Sequence, residues 1–232
     1  MSLRARVLDA LATVRDPELD EPITELRFVT ACEVSPAGDV EVRLRLPTPQ
    51  CAPNFAYLMA ADAQAAIRRL PQVRGVSVAL EDHYTGDEIN AAVGNGGGFT
   101  EAFPGESDDD ELDALRALFQ RKALVGRQAS LCEGLLAAGE TPEQLTARRV
   151  ADLADAPDVR RCLELRDCLG IDSGPGSPAF VRPDGAPIAA GELARWLRTA
   201  SLIRISLEVN GGICRSLLEH RYALSSREEV AA

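Results

Sequence analysis

This chain of 232 residues has few aromatic side chains, at 4%, and only two histidines. So few aromatics leave little surface on which nucleic-acid bases could stack. Basic charge is also outweighed: 25 Lys and Arg face 36 Asp and Glu, a formal net charge of −11. That balance opposes phosphate backbones, whose affinity comes from cations displacing condensed counterions, so nucleic acid is not an expected partner. No stretch approaches the roughly 20 apolar residues of a membrane span. The segment Met1 to Asp9 is charged and amphipathic without the apolar run of a signal peptide. The expectation is a cytoplasmic protein with no membrane partner. Six cysteines are present, but no Cys-x-x-Cys, so no zinc or redox motif can be read. Without a secretion signal, reduced thiols are expected. Ser107, Ser130 and Ser173 lack the Gly-x-Ser-x-Gly elbow of a hydrolase. Gly94-x-Gly96-x-x-Phe99 lacks the third glycine of a dinucleotide fingerprint.

A hydrophobic fraction of 46% is ample for a core, and the length suits one large or two small domains. Leu3, Val7, Ala10, Leu11 and Val14 recur at helical spacing, and Asp16-Pro17 stops that helix. Leu26 to Val34 reads as a strand, followed by the turn cluster Ser35-Pro36-Ala37-Gly38-Asp39. Val40, Val42, Leu44 and Leu46 then alternate with Glu41, Arg43 and Arg45, a strand with one wet face. Beyond the stiff loop Pro47 to Pro53, Phe55 to Leu70 marks a second helix, and Val73 to Leu80 a last strand. The fold class expected is α+β: a helix-strand-strand-helix-strand domain over 1–82, with helices on one face of a small sheet. Residues 83–110 read as a Gly-rich acidic linker, ending in the run Asp108 to Glu111. Residues 111–232 read as a mainly helical domain. Within it, Thr141-Pro142-Glu143 opens a helix, Gly170 to Pro187 loops, and Leu202 to Leu207 suggests one short strand before a final helix.

Cys51 follows a strand and directly precedes a helix, where unpaired amides and the helix dipole stabilise a thiolate, the form that binds iron or attacks an electrophile. The same position suits a small buried residue closing the loop, and position alone leaves both open. Asp16 and Glu18 are hard oxygen donors for iron, or solvated turn residues. His83, after the last strand, is a further donor, or a hydrogen-bonded surface residue. Cys132 and Cys162 sit among apolar residues and read as core. Cys162 and Cys168, at about 100° per residue, lie about 120° apart on a helix and cannot share a tight site. Cys214 follows the glycine pair Gly211-Gly212 near a predicted helix start and is the second candidate thiol, or a structural residue.

Asp16-Pro17-Glu18, Leu26-Arg27-Phe28-Val29 and Thr48-Pro49-Gln50-Cys51 together resemble the iron–sulfur cluster assembly domain family, which includes SufT-type and PaaD-type factors. The resemblance covers roughly residues 3 to 82. It implies that Asp16, Glu18, Thr48 and Cys51 lie near one another, with Cys51 as the reactive or metal-binding residue. Where the family usually has proline directly after this cysteine, the chain has Ala52 and then Pro53. Cys51 to Ala56, followed by His83-Tyr84-Thr85-Gly86-Asp87-Glu88-Ile89-Asn90, resembles a longer subgroup that accompanies bacterial diiron monooxygenases. The resemblance therefore implies a maturation factor rather than an enzyme. Its transient cargo would be iron or an iron–sulfur cluster, held by Cys51 and Thr48 with Asp16, Glu18, His83 and Cys214 as further metal ligands. Its partners would be a client metalloenzyme, an oxygenase component, and a second copy in a homodimer. Two other readings stand beside it: a metal-free adaptor or chaperone docking the client, and a thiol enzyme using Cys51 as nucleophile.

Overall fold

The computed structural model describes residues 1–105 and 109–222. Ser107 and Asp108, the latter at the head of the acidic run, lie outside the described residues. The chain divides into two compact units: Met1–Ala114 together with the chain from Asn210, and Leu115–Val209.

The first unit begins with α1 (Leu3–Leu11), whose N-terminus is capped by the Ser2 side chain accepting from the Ala5 amide. The sheet is built from β1 (Val29–Val34), β2 (Asp39–Arg45) and β3 (Gly75–Glu81), in that spatial order. β1 and β2 pair antiparallel, with a bulge between Val29 and Ala31. β2 and β3 pair parallel, with Val42 opposite Val78 and Leu44 opposite Leu80. The parallel pair needs a crossover, which α2 (Pro53–Arg68) supplies. The hairpin turns at Gly38 with φ +94, and a Cβ there would meet the Gln72 carbonyl oxygen at 2.6 Å, so glycine is required twice over.

The alternation expected in β2 is observed: Val40, Val42 and Leu44 are buried while Glu41 and Arg43 are exposed. The inward face packs with Val7 and Leu11 of α1 and Ala56, Ala60, Ala63 and Ile67 of α2 into one apolar cluster. Each fully buried Leu or Ile in it contributes about 1.5–3 kcal/mol. The α+β architecture expected over the first eighty residues is therefore present, with a three-stranded sheet and helices packed on its apolar face.

Residues 83–110, expected as a linker, hold two helices, α3 (Gly86–Asn95) and α4 (Phe99–Ala102). Ile89, Ala92 and Val93 lie at i, i+3 and i+4 and are buried in the same cluster, as are Phe99 and Phe103. The glycine run that suggested a linker instead terminates α3: Gly96 adopts φ 72, and its amide donates to the carbonyls of Ala92 and Val93. The amide side chain of Asn90 ties α3 to β3, its Nδ2 donating to the Leu80 carbonyl while its Oδ1 accepts from the Leu80 amide.

The second unit is helical, as expected. It draws on α5 (Asp109–Ala137), α6 (Pro142–Ala147), a 3-10 turn at Val150–Asp152, α7 (Pro157–Cys168) and α8 (Ala190–Tyr222); the unit boundaries fall within α5 and α8. Thr141 caps α6 in a complete capping box with Gln144. On α7, Cys162 is buried and Cys168 exposed, on different faces as the angular argument requires. The short strand expected over Leu202 to Leu207 is absent: these residues lie inside α8. An alternating apolar run this short also fits a helix, and the flanking Leu, Ala and Arg residues favour one.

Candidate functional site

The turn after α1 is organised by Asp16. Its Oδ1 accepts from the amides of Glu18 at 2.8 Å and Leu19 at 2.9 Å. Its own amide donates to the Glu21 carbonyl at 2.9 Å, and its carbonyl accepts from the Asp20 amide at 2.9 Å. Burial pushes the Asp16 carboxyl up to about 6, with the Glu18 and Glu21 charges adding to the rise and the two amide bonds opposing it. Asp16 is therefore the hydrogen-bonded centre of a turn, and it also places a carboxylate against the core.

Cys51 closes the loop between β2 and α2 and is half-buried, with the Thr48 hydroxyl 3.6 Å from its sulfur. That hydroxyl also accepts from the Gln50 amide at 3.3 Å. Pro53 occupies the first turn of α2, so the thiol stands at the positive end of a 16-residue helix. Cys51 and Thr48 are thus in contact.

His83 sits beside them, with both ring nitrogens in hydrogen bonds. Its Nε2 donates to the Cys51 carbonyl oxygen at 2.8 Å, while Nδ1 accepts from the Thr85 amide at 3.3 Å and faces the Thr85 hydroxyl at 3.1 Å. The carbonyl can only accept, which assigns the Nε2–H tautomer. Both ring nitrogens are engaged, and Nε2 faces the Cys51 main chain rather than its sulfur. The ring therefore braces the loop, together with the Tyr84 amide donating to the Pro49 carbonyl at 3.0 Å.

Cys214 was expected near a helix start after a flexible glycine pair, but it lies inside α8. The last turns of α8 belong to the first unit and are fixed to the Asp16 turn. Asn210 Nδ2 donates to Glu18 at 3.3 Å, and the Arg215 guanidinium pairs with Glu21. Gly211 makes this approach close: a Cβ there would stand 2.8 Å from a Glu21 carboxylate oxygen. Cys214 and Cys51 are both half-buried against the same apolar cluster. Burial, with the negative charges of Asp16, Cys51 and Glu18, pushes the Cys214 thiol up to about 11. By contrast, Cys132 is fully buried in the second unit, and burial pushes its thiol up to about 12, as befits a core residue. Nothing in the sequence marked Asn210, Gly211 and Arg215 as the residues that carry Cys214 to the turn.

The family described as iron–sulfur cluster assembly protein matches residues 4–79. An uncharacterized protein of Methanocaldococcus jannaschii is 33% identical over 90 residues, 39% of this chain and 93% of that protein. The chain belongs by this segment to the iron–sulfur cluster assembly protein family. An iron–sulfur cluster carrier protein of Mycobacterium leprae is 35% identical over 79 residues, 34% of this chain but only 20% of that protein. The family segment contains α1, the sheet up to Ala79, and both the Asp16 turn and Cys51; Cys214 lies outside it.

The donor set suits the family's cargo: thiolates select iron and iron–sulfur units, and carboxylates add oxygen donors. Among the described residues, no three His, Cys, Asp or Glu side chains converge tightly enough to enclose a metal ion. The arrangement is an open one, built around a half-buried thiol. Among the described residues, no helix is long and apolar enough to cross a membrane.

Proposed function

We propose that this protein is a maturation factor that takes up iron or an iron–sulfur unit at Cys51 and passes it to a client metalloenzyme, an iron-dependent oxygenase of the diiron class, in the cytoplasm. The observation that carries the reading is the half-buried Cys51 thiol at the amino end of α2, within the segment shared with iron–sulfur cluster assembly proteins. Delivery requires a site that releases its metal, and an accessible thiolate with few fixed co-ligands binds less tightly than a closed four-thiolate cage. The Asp16 carboxylate adds negative charge that favours a cation. Support for the client comes from the resemblance of Cys51 to Ala56 and His83 to Asn90 to factors that accompany diiron monooxygenases. The carboxy-terminal helices are the proposed client-docking region.

The test is the iron-to-protein ratio after anaerobic purification, wild type against Cys51→Ser, with maturation of the client measured in parallel. Iron and client activity lost together in the variant support the carrier. Client maturation that survives Cys51→Ser with no iron bound in either protein overturns it in favour of a metal-free adaptor.

A further inference from the structure

Most of the large apolar side chains exposed among the described residues lie on one helix. α8 runs unbroken from Ala190 to Tyr222, and along it Leu202, Ile205, Val209, Ile213 and Leu217 are 43–69% exposed. Steps of three or four residues, at about 100° per residue, keep them on one side of the helix. Single exposed apolar residues are ordinary, but a continuous stripe about 22 Å long, at about 1.5 Å per residue, marks an interaction surface. On this face, within about 60° of Val209, no ionisable side chain stands between Arg198 and His220, one near each end of the stripe. An apolar centre with a polar rim is the anatomy of a protein interface.

The stripe is symmetric about Val209. Ile205 and Ile213 lie four residues to either side of it, Ser206 and Gly212 three, and Leu202 and Ser216 seven. A second α8 laid antiparallel, with Val209 on the two-fold axis, therefore sets isoleucine against isoleucine, serine against glycine and leucine against serine, each pair twice over. Large side chains meet small ones across the contact, which lets two helices approach closely. Gly212 fits such a neighbour: a Cβ there would meet nothing within 4 Å in this chain, whereas at Gly211 it would stand 2.8 Å from a Glu21 oxygen. No internal contact accounts for a glycine at 212, on the edge of the stripe. A pair of such faces buries on the order of 1,000 Å², the size class of transient rather than obligate partners.

We infer that α8 is a self-association helix: two copies of the chain pair antiparallel along Leu202 to Leu217, in a dimer that dissociates on dilution. The inference does not depend on the carrier role of Cys51.

Sedimentation velocity across a range of protein concentrations tests it. The mass should rise from the 24.8 kDa of one chain toward twice that value. Salt should favour the dimer, because it screens the repulsion between two chains of charge −11. Val209→Asp puts two like charges at the axis and should weaken the dimer by about tenfold or more, with circular dichroism unchanged because the position is exposed. Ile205→Lys alone should weaken it as well. Combined with Ile213→Glu in the same chain it should restore association, since antiparallel pairing sets opposite charges together twice, whereas parallel pairing sets like charges together. A double variant that stays apart overturns the antiparallel arrangement. Wild type that remains at the mass of one chain throughout, or a dimer indifferent to Val209→Asp, overturns the inference; a monomer whose binding to a client is lost in Val209→Asp overturns it in favour of a client on the same stripe.

Discussion

The two units of this chain are held together by different means. In the first, one continuous apolar cluster joins the sheet to α1, α2, α3 and α4, and its buried polar side chains include Asp16, Asp20 and Gln64. In the second, the apolar residues fall into three small clusters, and the largest fully buried side chain is the cation Arg166. Its Nη1 donates to the Pro178 carbonyl at 2.9 Å, and its Nη2 donates to the Ala179 carbonyl and to Gln128 Oε1 at 3.4 Å. Gln128 in turn pairs with the Val181 backbone, Oε1 accepting from its amide at 2.9 Å and Nε2 donating to its carbonyl at 3.0 Å. A loop rich in Gly and Pro cannot form its own ladder, so two buried side chains satisfy its carbonyls. The first unit buries the Asp16 carboxyl at the candidate site, whereas the second uses the buried Arg166 and Gln128 to hold a loop.

The sharpest way to test this contrast is Arg166→Ala. It strands the Pro178 and Ala179 carbonyls and removes the weaker of the two donors to Gln128 Oε1, leaving the Val181 amide; at about 1–3 kcal/mol for each stranded carbonyl, the loss should reach about 3–5 kcal/mol in sum. Amide hydrogen exchange should show α7 and the loop to Val181 opening while β2 stays protected. Equal loss of protection in β2 would mean that the two units do not differ as described.

A smaller effect of opposite sign belongs to Asp16. Its carboxyl lies at about 6 in the folded protein against 3.8 as the ordinary value. The folded state therefore holds the proton more tightly. The stability this contributes is fully present below about pH 4 and is lost as the pH rises through about 6. At about 1.4 kcal/mol per pH unit, the change is about 3 kcal/mol, an upper figure because the turn can relax. Asp16→Asn keeps an Oδ1 that accepts from the Glu18 and Leu19 amides but carries no charge. It should flatten this part of the pH dependence and stabilise the neutral-pH protein by about 1–3 kcal/mol, while lowering its iron content. Urea midpoints across that pH range measure the first, and metal analysis the second. A variant that is destabilised at neutral pH would show that the charge itself holds the turn.

What was legible in the sequence follows the same division. The alternation of Val40, Val42 and Leu44 announced a strand with one wet face because a period of two has few other meanings, and Asp16, Thr48 and Cys51 were marked by local motifs. The helical character of Ile89, Ala92 and Val93 was masked by the glycines after them, since the Gly96 cap of α3 is written with the same residues as a linker. The path of α8 through Leu202 to Leu207 was ambiguous because six residues do not separate two periods. His83 was chosen for its imidazole, but whether a ring nitrogen is left over for a metal depends on Thr85 and the Cys51 carbonyl, a tertiary fact. The approach of Cys214 to the Asp16 turn depends on contacts between the two ends of the chain, which no local pattern encodes.

The mildest test concerns α6, where the second unit relies on a local motif rather than on burial. Thr141 Oγ1 accepts from the Gln144 amide at 3.3 Å, and Gln144 Oε1 accepts from the Thr141 amide at 2.8 Å. This helix has six residues, too few to be stable by propensity alone. Leu145 is its one buried contact and is fully buried. Thr141→Ala removes the side-chain half of the box and should cost about 1 kcal/mol. Thr141→Ser, which retains the hydroxyl, should cost only a fraction of that. The loss should appear first as faster exchange at the Gln144 amide, which loses its acceptor, with α7 unaffected. If α7 loosened equally, the Leu145 anchor rather than the cap would be the link through which α6 supports its unit.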